Sequence, residues 1–178
     1  MPGEPIANRN GSLQSHAMAC VAAGLCALPA IRRGDEKRVA LTSWKPFQSR
    51  LPSGDELGSW FGDAGAMCLV CGTVSGNLEM IDFDLGGEAF DRWRAAVEDN
   101  APGLMDRLVV ESTPSGGKHV VYRCADAVSG NTKLAQRRIV VDTDEPVVIG
   151  TKTYVPRRDA SGGGEWVVIV TMIETRGE

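Results

Sequence analysis

The chain has 178 residues, of which 43% are hydrophobic and 24% are charged, and its formal net charge is −4. This composition excludes a chain that is disordered throughout, a collagen-like or coiled-coil protein, and a wholly basic nucleic-acid binder. A chain of this length buries roughly 70% of its unfolded surface, so it needs neither disulfides nor a structural metal to fold. We expect one folded domain at 13–178 after a loose polar tail at 1–12.

The first half of the chain shows the apolar spacing of helices and short buried strands. Ser53 followed by Glu56 is a capping-box pattern, which predicts that a helix begins there. In chain order, we expect a helix at Leu13–Ala23 ended by Gly24, a strand at Leu25–Leu28 closed by Pro29, a basic loop at 32–50, a helix from 53 through Trp60, strands at Ala66–Val70 and Leu78–Phe83, and a helix at 87–100.

The second half alternates short apolar runs with turn-rich stretches. These runs predict strands at Val109–Ser112, Lys118–Arg123, Arg138–Val141, Val147–Ile149, Lys152–Val155 and Trp166–Ile173. Helices first and strands later favour an α+β fold over a doubly wound parallel sheet.

The sequence predicts a cytoplasmic protein with no membrane partner. The apolar stretch Ala17–Ile31 is too short for a spanning helix and is interrupted by Gly24 and Pro29, and its flanks fit a signal peptide poorly. The five cysteines are an odd number without the spacing of a disulfide framework, so we expect reduced thiols.

Charge is segregated along the chain. Residues 79–111 hold nine acids and three bases (−6), whereas 31–50 hold six bases and two acids (+4) and 115–158 hold eight bases and four acids (+4). An acidic region between basic ones suits a metal site that handles phosphates. Solvated faces explain the same pattern equally well.

Asp82 and Asp84 stand at the end of an apolar strand and are followed by Gly86-Gly87. Alternation along a strand places both carboxylates on one face. Two ionised carboxylates side by side need compensation, which a hard divalent cation supplies. The alternative is that the strand ends here and both side chains point into water.

The segment Ser115-Gly116-Gly117-Lys118-His119 leads into another apolar strand. Its glycines allow a tight turn that presents N–H groups to an anion. It is not a phosphate-binding loop of the Walker type, because histidine follows the lysine. Taken alone, a plain hairpin turn explains the segment better.

Two further segments say little in isolation. Glu174 follows the predicted strand Trp166–Ile173, where a third carboxylate could lie at a sheet edge, although a charged C-terminus is equally ordinary. Gly130–Ala135 reads as a polar turn that carries one cation, Lys133.

In this order, the four segments resemble the bifunctional primase–polymerase domain of the archaeo-eukaryotic primase superfamily, found in phage and plasmid replication proteins. The resemblance implies an RRM-like antiparallel palm sheet with an N-terminal α/β lobe. It also implies that Asp82, Asp84 and Glu174 bind Mg²⁺ or Mn²⁺ and that His119 contacts the nucleotide phosphates. The nucleotide-binding set that it implies is Ser115, Gly116, Gly117, Lys118, His119 and Lys133.

The resemblance implies two-metal, template-directed nucleotidyl transfer by a DNA primase and DNA polymerase. Its partners would be a single-stranded DNA template, nucleoside triphosphates and a replicative helicase. The basic segment 31–50, with Trp44 and Phe47, would hold the template by phosphate contacts and stacking, unless both aromatic residues are core. A metal-dependent nuclease or phosphodiesterase and a non-catalytic single-strand-binding fragment remain alternatives.

Relatives of this type usually continue past the segment Arg176-Gly177-Glu178 into a Gly-Gly-Tyr turn and further strands. The resemblance therefore implies that the domain is incomplete at its C-terminus and that nucleotidyl transfer by this chain is reduced. A frayed chain end at Glu174 would be one cause.

Overall fold

The computed structural model describes residues 9–33, 36–127, 130–159 and 164–176. It has an α+β fold whose sheets pair mostly antiparallel, which confirms the predicted class. The chain divides into two compact units. Unit 1 contains the described residues up to Leu78 together with 123–127, and unit 2 contains 79–122 and the described residues from 130 to 176.

Unit 1 combines two helices with a small antiparallel sheet in the order β2-β1-β3. Its elements are α1 (Arg9–Ala22), β1 (Cys26–Arg33), β2 (Glu36–Val39), α2 (Gly54–Trp60) and β3 (Ala66–Val70).

Strand β1 lies at the centre of unit 1 and buries both of its faces. Ala27 packs with Ala17, Leu57 and Phe61, whereas its neighbours on the other face pack with Phe47. The alternation of side chains along a strand explains this division into two clusters.

Three predictions for unit 1 are wrong at their edges. Helix α1 already begins at Arg9, inside the predicted loose tail, and residues 1–8 of that tail lie outside the described residues. Strand β1 continues through Pro29, because the Pro29 carbonyl accepts a hydrogen bond from the N–H of Ala40 (2.8 Å) just beyond the end of β2. The predicted loop 32–50 contains β2 and a 3₁₀ turn, Lys45–Gln48. Strand β2 was not predicted because residues 36–38 are charged, as is common in edge strands.

Unit 2 is built on a sheet with the strand order β10-β11-β4-β6-β5, and β7 also pairs with β11. The β8–β9 hairpin forms a separate two-stranded sheet. The elements are β4 (Leu78–Phe83), α3 (Phe90–Asn100), β5 (Val109–Ser112), β6 (Lys118–Arg123), β7 (Lys133–Val141), β8 (Val147–Ile149), β9 (Lys152–Tyr154), β10 (Arg157–Arg158) and β11 (Trp166–Arg176).

The core of unit 2 lies under β4. Ile81 and Phe83 are buried with Val120 and Ile173, and Phe90 of α3 meets the Phe83 ring edge-on at 5.3 Å between centroids. Because side chains alternate along β4, burial of its odd-numbered residues directs Asp82 to the opposite face.

Most strands of unit 2 follow the prediction, and the differences concern their ends. Strand β7 begins at Lys133 rather than at Arg138, so the second half of the predicted turn 130–135 is strand. Strand β11 extends to Arg176, so Glu174 lies inside the strand rather than after it. Pairing of β7 with β11 over most of their lengths extends both strands beyond their apolar runs. Helix α3 begins at Phe90 after a 3₁₀ turn, and β10 was not predicted.

No helix in the described part of the chain is long and apolar enough to cross a membrane. The stretch Ala17–Ile31 is divided between α1 and β1. All five cysteines lie in described segments, and none of them forms a disulfide.

Candidate functional site

Three carboxylates converge in unit 2 at the end of β4. Asp82 lies directly opposite Glu174 in the β4–β11 pairing, and Asp84 follows β4 immediately. One oxygen of each side chain lies within 4.8 Å of an oxygen of each of the others. The side chains are 15%, 22% and 15% exposed for Asp82, Asp84 and Glu174 respectively, so the cluster is accessible but partly shielded from water.

The backbone beside the acidic cluster is irregular, and this irregularity helps to position the carboxylates. The β7–β11 register shifts between Thr171 and Ile173 and again between Ile173 and Glu174. The Met172 carbonyl between these positions accepts a hydrogen bond from the N–H of Asp84 (3.1 Å). Such irregularities re-aim side chains and are frequent next to active sites.

Each carboxylate has a basic partner. The Lys152 ammonium lies 2.6 Å from Asp84 Oδ2, and His119 Nε2 lies 3.6 Å from Asp82 Oδ1. Arg176 forms an ion pair with Glu174 and lies 3.5 Å from Asp82 Oδ2. The charges of Lys152 and Arg176 offset the repulsion among three like charges.

The pKa of Lys152 reflects this pairing. Partial burial lowers the pKa of its ammonium, but the hydrogen bond and negative charge of Asp84, together with the charges of Tyr154 and Asp82, outweigh that effect, and the net result is a raised pKa. Lys152 is therefore charged at neutral pH.

The glycine-rich turn before β6 packs tightly against the end of β4. A Cβ atom on Gly117 would lie 2.5 Å from the Phe83 carbonyl oxygen, so only glycine fits there without backbone movement. The turn is closed by a hydrogen bond from the Gly116 N–H to the Thr113 carbonyl (2.9 Å), and the Thr113 and Ser115 hydroxyls lie 3.0 Å apart. The turn is thus held beside the acidic cluster.

A small pocket of about 50 Å³ opens next to Asp84. This volume exceeds the roughly 10–15 Å³ that a cavity needs by the same measure to hold one water molecule, so it admits a small polar group such as a phosphate oxygen. Its lining residues are Asp84, Leu85, Gly86, Ser115, Ile149, Gly150, Thr151 and Lys152.

Not all of the residues predicted for the site meet at the cluster. Asp82, Asp84, Glu174 and His119 do, and Ser115 and Gly117 lie beside them. The Lys118 ammonium instead donates to the Ser112 hydroxyl (2.7 Å). Lys133 is placed next to the cluster, because it lies directly opposite Glu174 on β7 as Asp82 does on β4, and its side chain is exposed.

Sequence reasoning missed two cations of the site. Arg176 had a detectable signal, because a residue two positions after Glu174 in a strand shares its face. Lys152 had none: it reaches Asp84 through the β8–β9 hairpin, whose position no local pattern specifies.

The donor set fits a hard divalent cation. Carboxylate oxygens are the ligands that Mg²⁺, Mn²⁺ and Ca²⁺ prefer, whereas structural zinc sites are usually built from cysteine and histidine. The partly exposed side chains leave room for water or a ligand oxygen to complete the coordination.

The chain matches no protein-family model, and a search of curated proteins finds no significant match.

Proposed function

We propose that the chain is a nucleotidyl-transfer domain of the primase–polymerase type, which extends DNA on a single-stranded template. One observation carries the proposal: segments distant in sequence bring Asp82, Asp84, Glu174 and His119 together. These are the residues to which the family resemblance gives metal and phosphate roles.

The residues of the site have distinct tasks in this proposal. Asp82, Asp84 and Glu174 would hold Mg²⁺ or Mn²⁺, which lowers the pKa of a primer 3′-hydroxyl and neutralises charge on the attacked phosphate. His119 lies at the edge of the cluster, where its ring N–H can donate to a phosphate oxygen. Arg176 orients Glu174 through their ion pair.

The topology of unit 2 supports an RRM-like palm. An RRM-like sheet places its first strand between its last and third strands, and the order β11-β4-β6-β5 with α3 after β4 follows that arrangement. The helix expected before the last strand is replaced by β7 to β10. In this proposal unit 1, with α1, α2 and its three-stranded sheet, is the N-terminal α/β lobe.

The proposal implies defined partners. They are nucleoside triphosphates and a single-stranded DNA template, with a replicative helicase acting alongside in phage or plasmid DNA replication.

The first test is Mn²⁺-dependent binding of a deoxynucleoside triphosphate, measured by calorimetry. The wild-type chain should bind only with metal, and the double variant Asp82→Asn/Asp84→Asn should bind at least about tenfold more weakly, because it loses two charges at the cation. Glu98→Gln is the matched control, since Glu98 is an exposed carboxylate on α3 and lies outside the cluster.

Activity then separates nucleotidyl transfer from the alternatives. Primer extension that needs both metal and triphosphates supports the proposal. Degradation of DNA without triphosphates would identify a metal-dependent nuclease or phosphodiesterase instead. DNA binding that needs no metal and is unchanged in the double variant would indicate a non-catalytic single-strand binder.

A further inference from the structure

Lys152 reaches the acidic cluster from outside the main sheet of unit 2. Strands β8 and β9 pair antiparallel around Gly150 and Thr151, and Gly150 adopts a left-handed conformation (φ +63°) that closes the hairpin. The hairpin carries the Lys152 ammonium to 2.6 Å from Asp84 Oδ2. The Lys152 side chain is 53% exposed, so it can leave Asp84 without opening the core.

This ion pair conflicts with metal binding at the same carboxylate. A cation ligated by Asp84 Oδ2 would lie beside an ammonium that donates to the same oxygen, and two positive charges at that distance repel each other. Metal binding through Oδ2 therefore requires Lys152 to move away from this oxygen.

Arg176 is placed differently. It lies within β11 and pairs with Glu174 on the same strand face, so its guanidinium is held by the sheet. The Lys152 side chain has a flexible stem and a compact charge, and it can change partners more easily. We therefore expect Lys152, and not Arg176, to leave its carboxylate for another partner.

The pocket beside Asp84 offers Lys152 a second position. Lys152, Ser115 and Thr151 all line it, with one ammonium and two hydroxyl groups as hydrogen-bond donors. This donor set suits phosphate oxygens, and an ammonium is a common phosphate partner.

We infer that Lys152 is an exchange cation. It neutralises Asp84 when no metal is bound, and it transfers to a phosphate of the incoming nucleoside triphosphate when a metal takes Asp84. The inference rests on the proposed function and adds a positioning residue to it, one that couples metal binding to nucleotide binding.

The inference predicts that one substitution raises the affinity for the metal and lowers the affinity for the nucleotide. Lys152→Met keeps the length of the side chain but removes its charge. Affinity for Mn²⁺ alone should rise by about tenfold, because a competing positive charge is removed from a ligand oxygen. Affinity of the Mn²⁺-saturated protein for a deoxynucleoside triphosphate should fall by about tenfold, because a charge-assisted hydrogen bond is lost.

Both affinities are binding measurements on the whole chain. Free Mn²⁺ is followed by electron paramagnetic resonance, and nucleotide binding by calorimetry at saturating Mn²⁺. Arg107→Met is the control, since Arg107 is an exposed cation of the 3₁₀ turn Met105–Arg107, outside the acidic cluster, and its loss should change neither affinity. Lys152→Arg should keep the wild-type affinity for Mn²⁺, because the charge beside Asp84 is retained.

The outcomes separate the inference from the proposed function. Equal Mn²⁺ affinity for wild type and Lys152→Met, with a clear loss in Asp84→Asn, overturns the exchange and leaves the metal site standing. Tighter Mn²⁺ binding with unchanged nucleotide affinity also overturns it, because transfer to phosphate is then absent. Mn²⁺ binding that is the same in wild type and Asp84→Asn contradicts the proposed function itself.

Discussion

Glu174 lies directly opposite Asp82 in the antiparallel pairing of β11 with β4. Like charges at directly opposed positions destabilise a sheet, because their Cβ atoms are only about 5 Å apart. Arg176 contacts both carboxylates, and His119 approaches Asp82 from β6. The sheet thus places repelling groups at one position and compensates for them locally, an arrangement expected of a site that binds a cation.

Glu174→Gln should weaken metal binding without unfolding the sheet. An excess of Mn²⁺ at about 100 times its dissociation constant stabilises a protein by about 2.7 kcal/mol. For a chain of this size that corresponds to a rise in melting temperature of roughly 5–10 °C. We expect that rise in the wild type and a much smaller one in Glu174→Gln at the same Mn²⁺ concentration, measured by thermal melting.

The control for this experiment is again Glu98→Gln. It removes one carboxylate from an exposed position of α3, so the Mn²⁺-induced rise should equal that of the wild type. An equal rise in Glu174→Gln would show that Glu174 is not a ligand.

Gly117→Ala should damage the site through the backbone. The added methyl group would lie 2.5 Å from the Phe83 carbonyl oxygen and 3.0 Å from the Thr113 hydroxyl, so the turn must move away from β4. Overpacking of this kind typically costs about 1–3 kcal/mol. We expect a corresponding loss in the free energy of unfolding, measured in urea, together with weaker Mn²⁺-dependent nucleotide binding.

A comparison substitution isolates the steric cause. Gly65→Ala adds the same methyl group where nothing lies within 4 Å. It should leave nucleotide binding unchanged and shift stability by less than about 1 kcal/mol. Equal effects of the two substitutions would contradict the close approach at Gly117.

Local patterns predicted the elements of the site, and long-range pairing decided their lengths. The strand Leu78–Phe83 was predictable because its apolar residues and its bounds are both local. Glu174 was expected after a strand but lies inside β11, because pairing with β7 and β4 extends that strand into polar sequence. Lys152 was missed because only the tertiary position of its hairpin brings it to Asp84.

The same contrast holds in unit 1. The capping box of Ser53 and Glu56 was predicted and is confirmed, since both hydrogen bonds join residues three positions apart. The predicted loop 32–50 instead contains strand β2, whose partner β1 is specified by tertiary pairing rather than by its own charged sequence.

Trp44 and Phe47 should respond differently to substitution. Phe47 is 5% exposed and meets Trp60 edge-on at 5.3 Å, so it is a core residue and not a stacking platform for bases. Phe47→Ala should cost about 3–5 kcal/mol of unfolding free energy. Trp44 is 41% exposed, and Trp44→Ala should change stability by less than about 0.5 kcal/mol.

Single-stranded DNA tests the template role of the basic segment 31–50. One base stacked on an aromatic side chain contributes about 1–3 kcal/mol, so Trp44→Ala should weaken binding of an oligonucleotide by roughly tenfold. Fluorescence anisotropy of a labelled strand measures this directly. Unchanged affinity would remove Trp44 from the proposed DNA contact.

Glu56 makes the stability of unit 1 dependent on acid pH. Its carboxylate accepts two hydrogen bonds from Arg50 (2.7 and 2.8 Å) and one from the Ser53 N–H (2.8 Å). The Arg50 bonds first, and then the Ser53 bond, lower the pKa of Glu56 from 4.5 to about 2. Because the pKa is lower in the folded state, this stabilisation is complete above pH 4.5 and is lost as the pH falls towards 2.

Glu56→Gln should therefore melt below the wild type at neutral pH, because it loses the carboxylate that Arg50 and Ser53 share. The difference between the two melting temperatures should shrink as the pH falls from 4.5 to about 2, since the wild-type side chain becomes protonated in that range. Other carboxylates titrate in both proteins and largely cancel in the difference. A melting difference that stays constant between pH 7 and pH 2 would show that the charge of Glu56 contributes nothing to the fold.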